Sequence, residues 1–219
     1  KSGAPALNPR PWCGAQDRAI PVGKSAGGTG RFKLEPGAKG DAFRISPRMD
    51  QATAELAIRL VDEMKLGQGA APDLLSVSFS APDYIGHAVG NEGVEMCIQM
   101  AEVDAAIGKL LAHLDARGID YAVVLTADHG GLDAPERSNQ QALPAAVRVD
   151  DALRPDWLAK AVTARTGISA KNGPLLYADG ASGDFYVNRG LTAQEKDRVV
   201  DALVAIARAH PQVAAVYTN

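Results

Sequence analysis

The sequence has few cysteines, few aromatic residues and no long apolar run. The spacing of the cysteines and the missing apolar run each exclude classes of protein. Of its 219 residues, two are Cys, four are His and 5% are aromatic. Cys13 and Cys97 match neither the spacing of a zinc finger nor that of a redox motif. Their pairing is left open, since Cys97 also suits a small core position on a helix. No run approaches the ~20 apolar residues that cross a bilayer, so no membrane span is expected.

The charge is nearly balanced, with 23 basic and 26 acidic residues and a net charge of -3. This balance gives no reason to expect a nucleic-acid-binding or membrane-binding surface. The apolar content of 46% is ordinary for a globular core. No segment has the pattern of a signal peptide, which says nothing about a longer parent protein. The oligomeric state is left open.

Three zones differ in composition. Residues 1–46 are rich in Gly, Pro and Lys without sustained periodicity, and are interpreted as an irregular lead-in segment. Residues 47–137 have the pattern of an α/β core, beginning with a helix over about Arg48–Lys65. Residues 138–219 are predicted to form a smaller α+β, cap-like portion. The predicted fold class is therefore α/β, with a mostly parallel sheet flanked by helices and a smaller α+β cap-like insertion.

The last zone has short alternating segments and one strong helix start. Thr192 with Glu195 is a capping box that begins a helix running to Ala209. The alternating segments predict three strands, of which the first two are joined by Gly-rich turns: Leu175–Ala178, Asp184–Val187 and Val213–Tyr217.

A strand–helix–strand unit occupies the middle of the predicted core. Leu74–Phe79 is a short apolar run typical of a buried strand. Apolar residues then recur at helical spacing from Val94 to Leu114, and Gly118 ends this helix. Tyr121–Leu125 is the next apolar run. Such a unit should be right-handed with parallel strands, so that both strands end at the edge of the sheet where ligands bind.

Each of the two strand ends is followed by one carboxylate and one imidazole. Asp83 and His87 are four residues apart, so a helical turn would place both on one face. Asp128 and His129 are adjacent, and they converge only if the strand ends there, which Gly130 permits. Ordinary turns explain either pair alone, but poorly explain both pairs in equivalent positions of one unit. A mixed Asp/His set suits zinc or a similar transition ion.

At these residues the chain resembles a known family. Asp83-x-x-x-His87 after a strand, followed by a helix and then by Leu125-Thr126-Ala127-Asp128-His129-Gly130, is similar to the alkaline phosphatase superfamily. The resemblance is to its type I phosphodiesterase/nucleotide pyrophosphatase-like branch, which includes periplasmic alkaline phosphatases of bacteria. It runs from about Phe43 to Arg137 and is weak after Asn139.

The resemblance implies a hydrolase of phosphate esters, either monoesters or diesters, with two zinc ions as cofactors. In the family, the counterparts of Asp83 and His87 bind one ion, and those of Asp128 and His129 bind the other. The two ions clamp the transferred phosphoryl group and stabilise the attacking and leaving oxygens. The resemblance also implies a small-molecule phosphate ester as substrate and a periplasmic or secreted location.

Two parts of the family's site have no counterpart here. The family's nucleophile is a Thr or Ser after an early strand, near a further metal-binding Asp, and nothing upstream of Asp73 resembles that region. A final His ligand near the C-terminus is also missing, because His210 suits the end of a helix instead. We therefore expect an internal or truncated fragment without a catalytic nucleophile, which is inactive alone and derives from an active parent enzyme.

Other interpretations stay open. The chain could be a non-catalytic or interaction module that retains the fold, or part of a related sulfatase or phosphoglycerate mutase-type enzyme. Asp133 and Glu136 are candidates for orienting His129, although solvated loop charges are the simpler interpretation. Asn91 is a candidate substrate contact, and a turn-forming Asn is its ordinary alternative.

Overall fold

The computed structural model describes residues 9–16, 18–22, 25–27, 32, 40–179 and 183–218. By its internal contacts the chain divides into two compact units, Lys1–Ala146 and Val147–Asn219. About half of the predicted lead-in over residues 1–46 lies outside the described residues, and its separate status stays a prediction. None of the described helices is both long and apolar enough to cross a membrane.

The first unit is built mainly of helices. A short 3-10 helix spans Pro11–Gln16, and strand β1 (Ile20–Val22) pairs antiparallel with β2 (Ser25–Gly27). The α-helices that follow are α1 (Gly40–Arg44), α2 (Arg48–Glu63), α3 (Ala81–Val89), α4 (Val94–Ala116) and α5 (Pro135–Gln140).

Helices α2 and α4 pack against each other and form the main helix pair of this unit. The Gln51 amide donates to Glu102 at 2.6 Å, and His113 Nε2 lies 2.8 Å from Asp62 Oδ1. The buried apolar positions of α2 recur three or four residues apart, as one helical face requires: Ala54, Ala57 and Val61. The two predicted helices are thereby confirmed to within a few residues at their ends.

A disulfide bond joins Cys13 and Cys97, whose Cα atoms are 5.8 Å apart. The structure thus answers the question that the sequence left open. Cys13 lies in the 3-10 helix and Cys97 in the first turns of α4. Both lie against the buried side chains of Val94 and Ile98. The bond therefore holds the chain before β1 against α4.

The two apolar runs of the predicted strand–helix–strand unit are not paired into a sheet. Leu74–Phe79 and Tyr121–Leu125 have no strand assignment, and the sheets formed by the described residues are two-stranded and antiparallel. Leu74, Val124 and Leu125 are 92%, 89% and 80% exposed. A parallel strand needs a hydrogen-bonded neighbour on at least one edge. The predicted parallel sheet is therefore not confirmed, whereas the helix between the two runs is.

The second unit is a small α+β structure. It contains a 3-10 helix (Asp151–Leu153), α6 (Pro155–Thr166), β3 (Leu176–Tyr177), β4 (Tyr186–Val187) and α7 (Ala193–Arg208). Strands β3 and β4 are antiparallel, which confirms the two predicted strands in shortened form. The predicted third strand, Val213–Tyr217, has no strand pairing. The core of this unit is formed by side chains of α6, β3 and α7, including Leu158, Val162, Leu176, Val199 and Leu203.

Candidate metal centre

Helix α3 carries the first Asp/His pair. Asp83 lies in its first turn and His87 one turn later, as the spacing of four residues predicts. The two side chains face each other, with His87 Nε2 3.4 Å from Asp83 Oδ1. The N-terminus of α3 is a favourable place for the Asp83 carboxylate because the helix dipole is positive there.

The second pair lies in the loop after Tyr121–Leu125. The backbone N–H of His129 donates to Asp128 Oδ1 at 3.0 Å, which turns the carboxylate back over the loop. His129 Nδ1 lies 2.8 Å from the carbonyl oxygen of Gly130. Because a carbonyl oxygen only accepts hydrogen bonds, this contact places a proton on Nδ1. In the neutral ring, Nε2 is then free to act as a ligand.

The structure brings the two pairs together at His129. Its Nε2 lies 3.7 Å from Asp83 Oδ1 and 3.6 Å from Asp128 Oδ2. The side chains are open to solvent, with exposed fractions of 45% for Asp83, 78% for His87, 87% for Asp128 and 60% for His129. Asp83 and Asp128 therefore both lie beside the His129 ring on an accessible surface, and His87 adjoins Asp83.

The electrostatics of this space favour a cation. The hydrogen bond to the Gly130 carbonyl and the negative charges of Asp128 and Asp83 raise the pKa of His129. Each of these effects stabilises positive charge on the imidazole ring. A metal ion at Nε2 would meet the same two carboxylates in place of the proton.

The donor chemistry fits zinc, whereas the number of assembled donors is short of a complete site. Aspartate and neutral histidine are common zinc ligands, and a catalytic zinc has three protein ligands plus a water or substrate. Within the described part of the chain, no three His, Cys, Asp or Glu side chains are arranged so that they could hold an ion.

Asp133 does not orient His129. Its Oδ1 accepts the backbone N–H of Glu92 at 3.1 Å and forms an ion pair with Arg137. Burial is the largest single effect on the pKa of Asp133, and it raises that pKa. The contacts with Arg137 and Glu92 and the hydrogen bond from the Ala134 backbone together outweigh it, so the pKa of Asp133 is lowered. The interpretation of Asp133 as a solvated charge is also wrong, because its side chain is 3% exposed. The i, i+4 spacing to Arg137 was the signal for this pair.

Sequence reasoning also missed Asp50, which supports α3 from α2. Asp50 Oδ1 accepts the N–H of Ala81, the first residue of α3, at 3.2 Å. Asp50 Oδ2 accepts from Gln99 of α4 at 2.7 Å. One buried carboxylate thus joins three helices beneath the first Asp/His pair, and no local pattern in the sequence indicates it.

Comparison with known proteins assigns the chain to a family. A sequence model of the family described as type I phosphodiesterase / nucleotide pyrophosphatase matches residues 29–219. The match covers most of the chain, so the protein belongs to this family, within the alkaline phosphatase superfamily.

Two curated relatives are similar over most of this chain. The alkaline phosphatase PhoD of Zymomonas mobilis subsp. mobilis is 49% identical over 176 residues, which are 80% of this chain and 30% of PhoD. The alkaline phosphatase PhoK of a Sphingomonas species is 44% identical over 208 residues, which are 94% of this chain and 36% of PhoK. The chain therefore spans about a third of the length of these relatives.

A solved structure has the same fold. The crystal structure of wild-type alkaline phosphatase PafA matches with a TM-score of 0.73 at 18% identity. The match covers 95% of this chain and 41% of that protein. This likeness confirms the α/β fold class.

Proposed function

We propose that this chain is part of a phosphate-ester hydrolase whose site holds two divalent metal ions, with zinc as the natural metal. The observation that carries the proposal is the meeting of both Asp/His pairs at His129, whose Nε2 lies within 3.7 Å of Asp83 and Asp128. Family membership and relatives named alkaline phosphatases support the same chemistry.

Each pair would hold one ion, Asp83 with His87 and Asp128 with His129. When bound, zinc supplies a Lewis acid at the phosphoryl oxygens. The chain's own contribution is to present and orient the donors. The Gly130 carbonyl fixes the proton of His129 on Nδ1 and would leave Nε2 to bind an ion, as outer hydrogen bonds do for metal-binding histidines.

The remaining ligands and the nucleophile are proposed to come from the part of the relatives' length that this chain does not span. Two donors per ion are fewer than the three that a catalytic zinc takes. The described Ser and Thr hydroxyls beside the candidate site bond to hydroxyl or carbonyl oxygens rather than to a base, Ser78 to Ser80 and Thr126 to the carbonyl of Ala127. On this proposal the 219-residue chain alone binds zinc weakly and does not turn over phosphate esters.

The substrate is proposed to be a small-molecule phosphate ester, and the location periplasmic or secreted. The disulfide between Cys13 and Cys97 supports the location, because disulfides persist in oxidising compartments.

The test measures zinc content together with hydrolysis of p-nitrophenyl phosphate and bis-p-nitrophenyl phosphate. Both are measured for this chain and for the longest form that its gene encodes. We expect metal-dependent hydrolysis only in the longer form. In that form, the ratio of the hydrolysis rates of the two esters assigns monoester or diester preference. Asp128→Ala should abolish hydrolysis in the longer form, since it removes a ligand of one ion.

Asp120→Ala is the matched control, because Asp120 is an exposed aspartate just before the same apolar run. It should leave hydrolysis unchanged. Full activity of Asp128→Ala would contradict the proposed site. Metal-dependent hydrolysis by the 219-residue chain alone, lost on Asp128→Ala, would contradict the proposal that the nucleophile lies outside it.

A second candidate is a non-catalytic module that retains the fold. It is favoured by one observation, that the described residues assemble no three donors in an arrangement that could hold a metal ion. Zinc binding without hydrolysis of either ester by the longest form would favour this candidate.

A further inference from the structure

Asn91 lies in the turn between α3 and α4, beside both loops of the candidate metal centre. Its Nδ2 donates a hydrogen bond to the carbonyl oxygen of Leu132, 3.0 Å away. Leu132 follows His129 in the second loop, and Val89 at the end of α3 precedes Asn91 by two residues. One side chain therefore links the helix with the first Asp/His pair to the loop with the second.

The side chain of Asn91 occupies space that is free because two neighbouring residues are glycines without a β-carbon. A β-carbon at Gly86 would collide with Asn91 Oδ1, and a β-carbon at Gly131 would collide with Asn91 Nδ2. Gly86 immediately precedes His87, and Gly131 lies two residues after His129. The amide of Asn91 is thus held closely between the two parts of the candidate site.

A buried ion pair holds the turn itself in place. Asp133 accepts the N–H of Glu92 and pairs with Arg137, whose Nη2 donates to the carbonyl oxygen of Val89 at 3.3 Å. The side chains of Asp133 and Arg137 are 3% and 7% exposed. Breaking a buried pair leaves an uncompensated charge, which is costly. The backbone that presents Asn91 is therefore anchored independently of the amide.

We propose that Asn91 is a positioning residue that sets the separation of the two Asp/His pairs. It acts through the backbone, by tying α3, with Asp83 and His87, to the loop of Asp128 and His129. A two-metal site requires a fixed separation, since its ions lie ~3.5–4 Å apart. The inference deepens the proposed function and rests on it, because the separation matters only if both pairs bind metal.

Three variants test the link. Asn91→Ala removes the amide, and Gly131→Ala places a methyl group where the amide lies. Their double variant tests whether both changes break the same contact. Asn139→Ala is the control, because it removes another side-chain amide of the same unit, which donates to the carbonyl of Ala146 at 2.8 Å.

The first measurement needs no metal. Hydrogen exchange of the backbone amides of residues 128–132 is followed in the metal-free protein. Asn91→Ala and Gly131→Ala should each speed exchange there by about five- to tenfold, the effect of losing one hydrogen bond. The double variant should exchange no faster than either single variant, and Asn139→Ala should match the parent. Additive effects of the two single variants would contradict the inference that both changes break one contact.

The second measurement is zinc affinity, by chelator competition, in the longest form that the gene encodes. Asn91→Ala should weaken binding of zinc by about tenfold, as the loss of an outer contact does. Loss of zinc binding in Asp128→Ala with unchanged affinity in Asn91→Ala would overturn the positioning role and leave the proposed function standing. Unchanged zinc binding in Asp128→Ala would overturn the proposed function itself, and the positioning role with it.

Discussion

Asp50 shows at the scale of one residue how the fold supports the candidate site. It is 1% exposed, and its two oxygens accept the N–H of Ala81 and the side-chain amide of Gln99. Ser80, the N-cap residue of α3, makes no capping bond with its own side chain. Asp50 therefore caps α3 from a neighbouring helix, and its carboxylate faces the positive end of the α3 dipole.

The burial of Asp50 predicts a pH-dependent stability. Desolvation raises the pKa of Asp50 from its ordinary value of 3.8, although the bonds from Ala81 and Gln99 lower it. The folded state then holds the proton more tightly than the unfolded state, so the free energy of unfolding falls as the pH rises from the ordinary pKa through the raised one. We expect Asp50→Asn to remove this decline in urea unfolding measured from about pH 4 to about pH 7.

Asp104→Asn is the control for this prediction, because Asp104 is an exposed carboxylate on α4. Its stability should decline with pH as in the parent protein. An Asp50→Asn variant that keeps the full decline would show that another group causes it.

The four candidate ligands could be proposed from the sequence because their signal is local, and their role as ligands stays a prediction. Asp83 and His87 are spaced for one helical face, and Asp128 and His129 follow an apolar run and precede the glycines at 130 and 131. The supporting contacts could not be predicted, since Asp50 is 31 residues from Ala81, and Asn91 is 41 residues from Leu132. Such contacts depend on which helices meet, and no spacing along the chain encodes that.

At the scale of the element, the start of α7 has a complete capping box. Thr192 Oγ1 accepts the N–H of Glu195, and Glu195 Oε2 accepts the N–H of Thr192 at 2.8 Å. The predicted capping box is thereby confirmed. The hydrogen bonds from the Thr192 backbone and side chain lower the pKa of Glu195. The carboxylate form is therefore favoured in the folded state, and this contribution is lost as the pH falls through the lowered pKa.

We predict that Thr192→Ala destabilises α7 by about 1 kcal/mol at neutral pH, because it leaves the Glu195 N–H without its acceptor. Hydrogen exchange of the α7 amides measures this loss directly. Thr192→Ser retains the hydroxyl and is the matched control, which should exchange nearly as the parent does. Equal exchange in Thr192→Ala and Thr192→Ser would show that the box contributes nothing.

The elements differ in how far the sequence determines them. Helices α2, α4 and α7 could be predicted, because caps, glycine stops and the 3.6-residue period lie within each segment. The runs Leu74–Phe79 and Tyr121–Leu125 have strand-like composition, yet a strand forms only against a neighbour, and composition does not supply one. The short antiparallel pair of β3 and β4 could be predicted because both strands lie close together in the sequence.

At the scale of the whole molecule, these two apolar runs are exposed to an unusual extent. Leu74, Val124 and Leu125 are all at least 80% exposed. Apolar surface in water costs about 25 cal/mol per Å², and unpaired strand edges are templates for association. Parallel strands occur almost only in sheets that are covered on both faces. The chain spans about a third of its curated relatives, so the remaining length is the proposed source of this cover.

We predict that the 219-residue chain self-associates through these runs and that Leu74→Gln with Val124→Gln reduces the association. Sedimentation velocity measures it, and the binding of a dye that fluoresces on apolar surface should fall in parallel. Leu56→Gln is the control, because Leu56 is an exposed leucine on α2 and should change neither reading. In the longest form that the gene encodes, the same double variant should lower stability by about 2–5 kcal/mol, since the runs are then buried. The double variant is thus expected to reduce association of the 219-residue chain and to lower the stability of the longer form. A double variant that changes neither property would contradict the prediction.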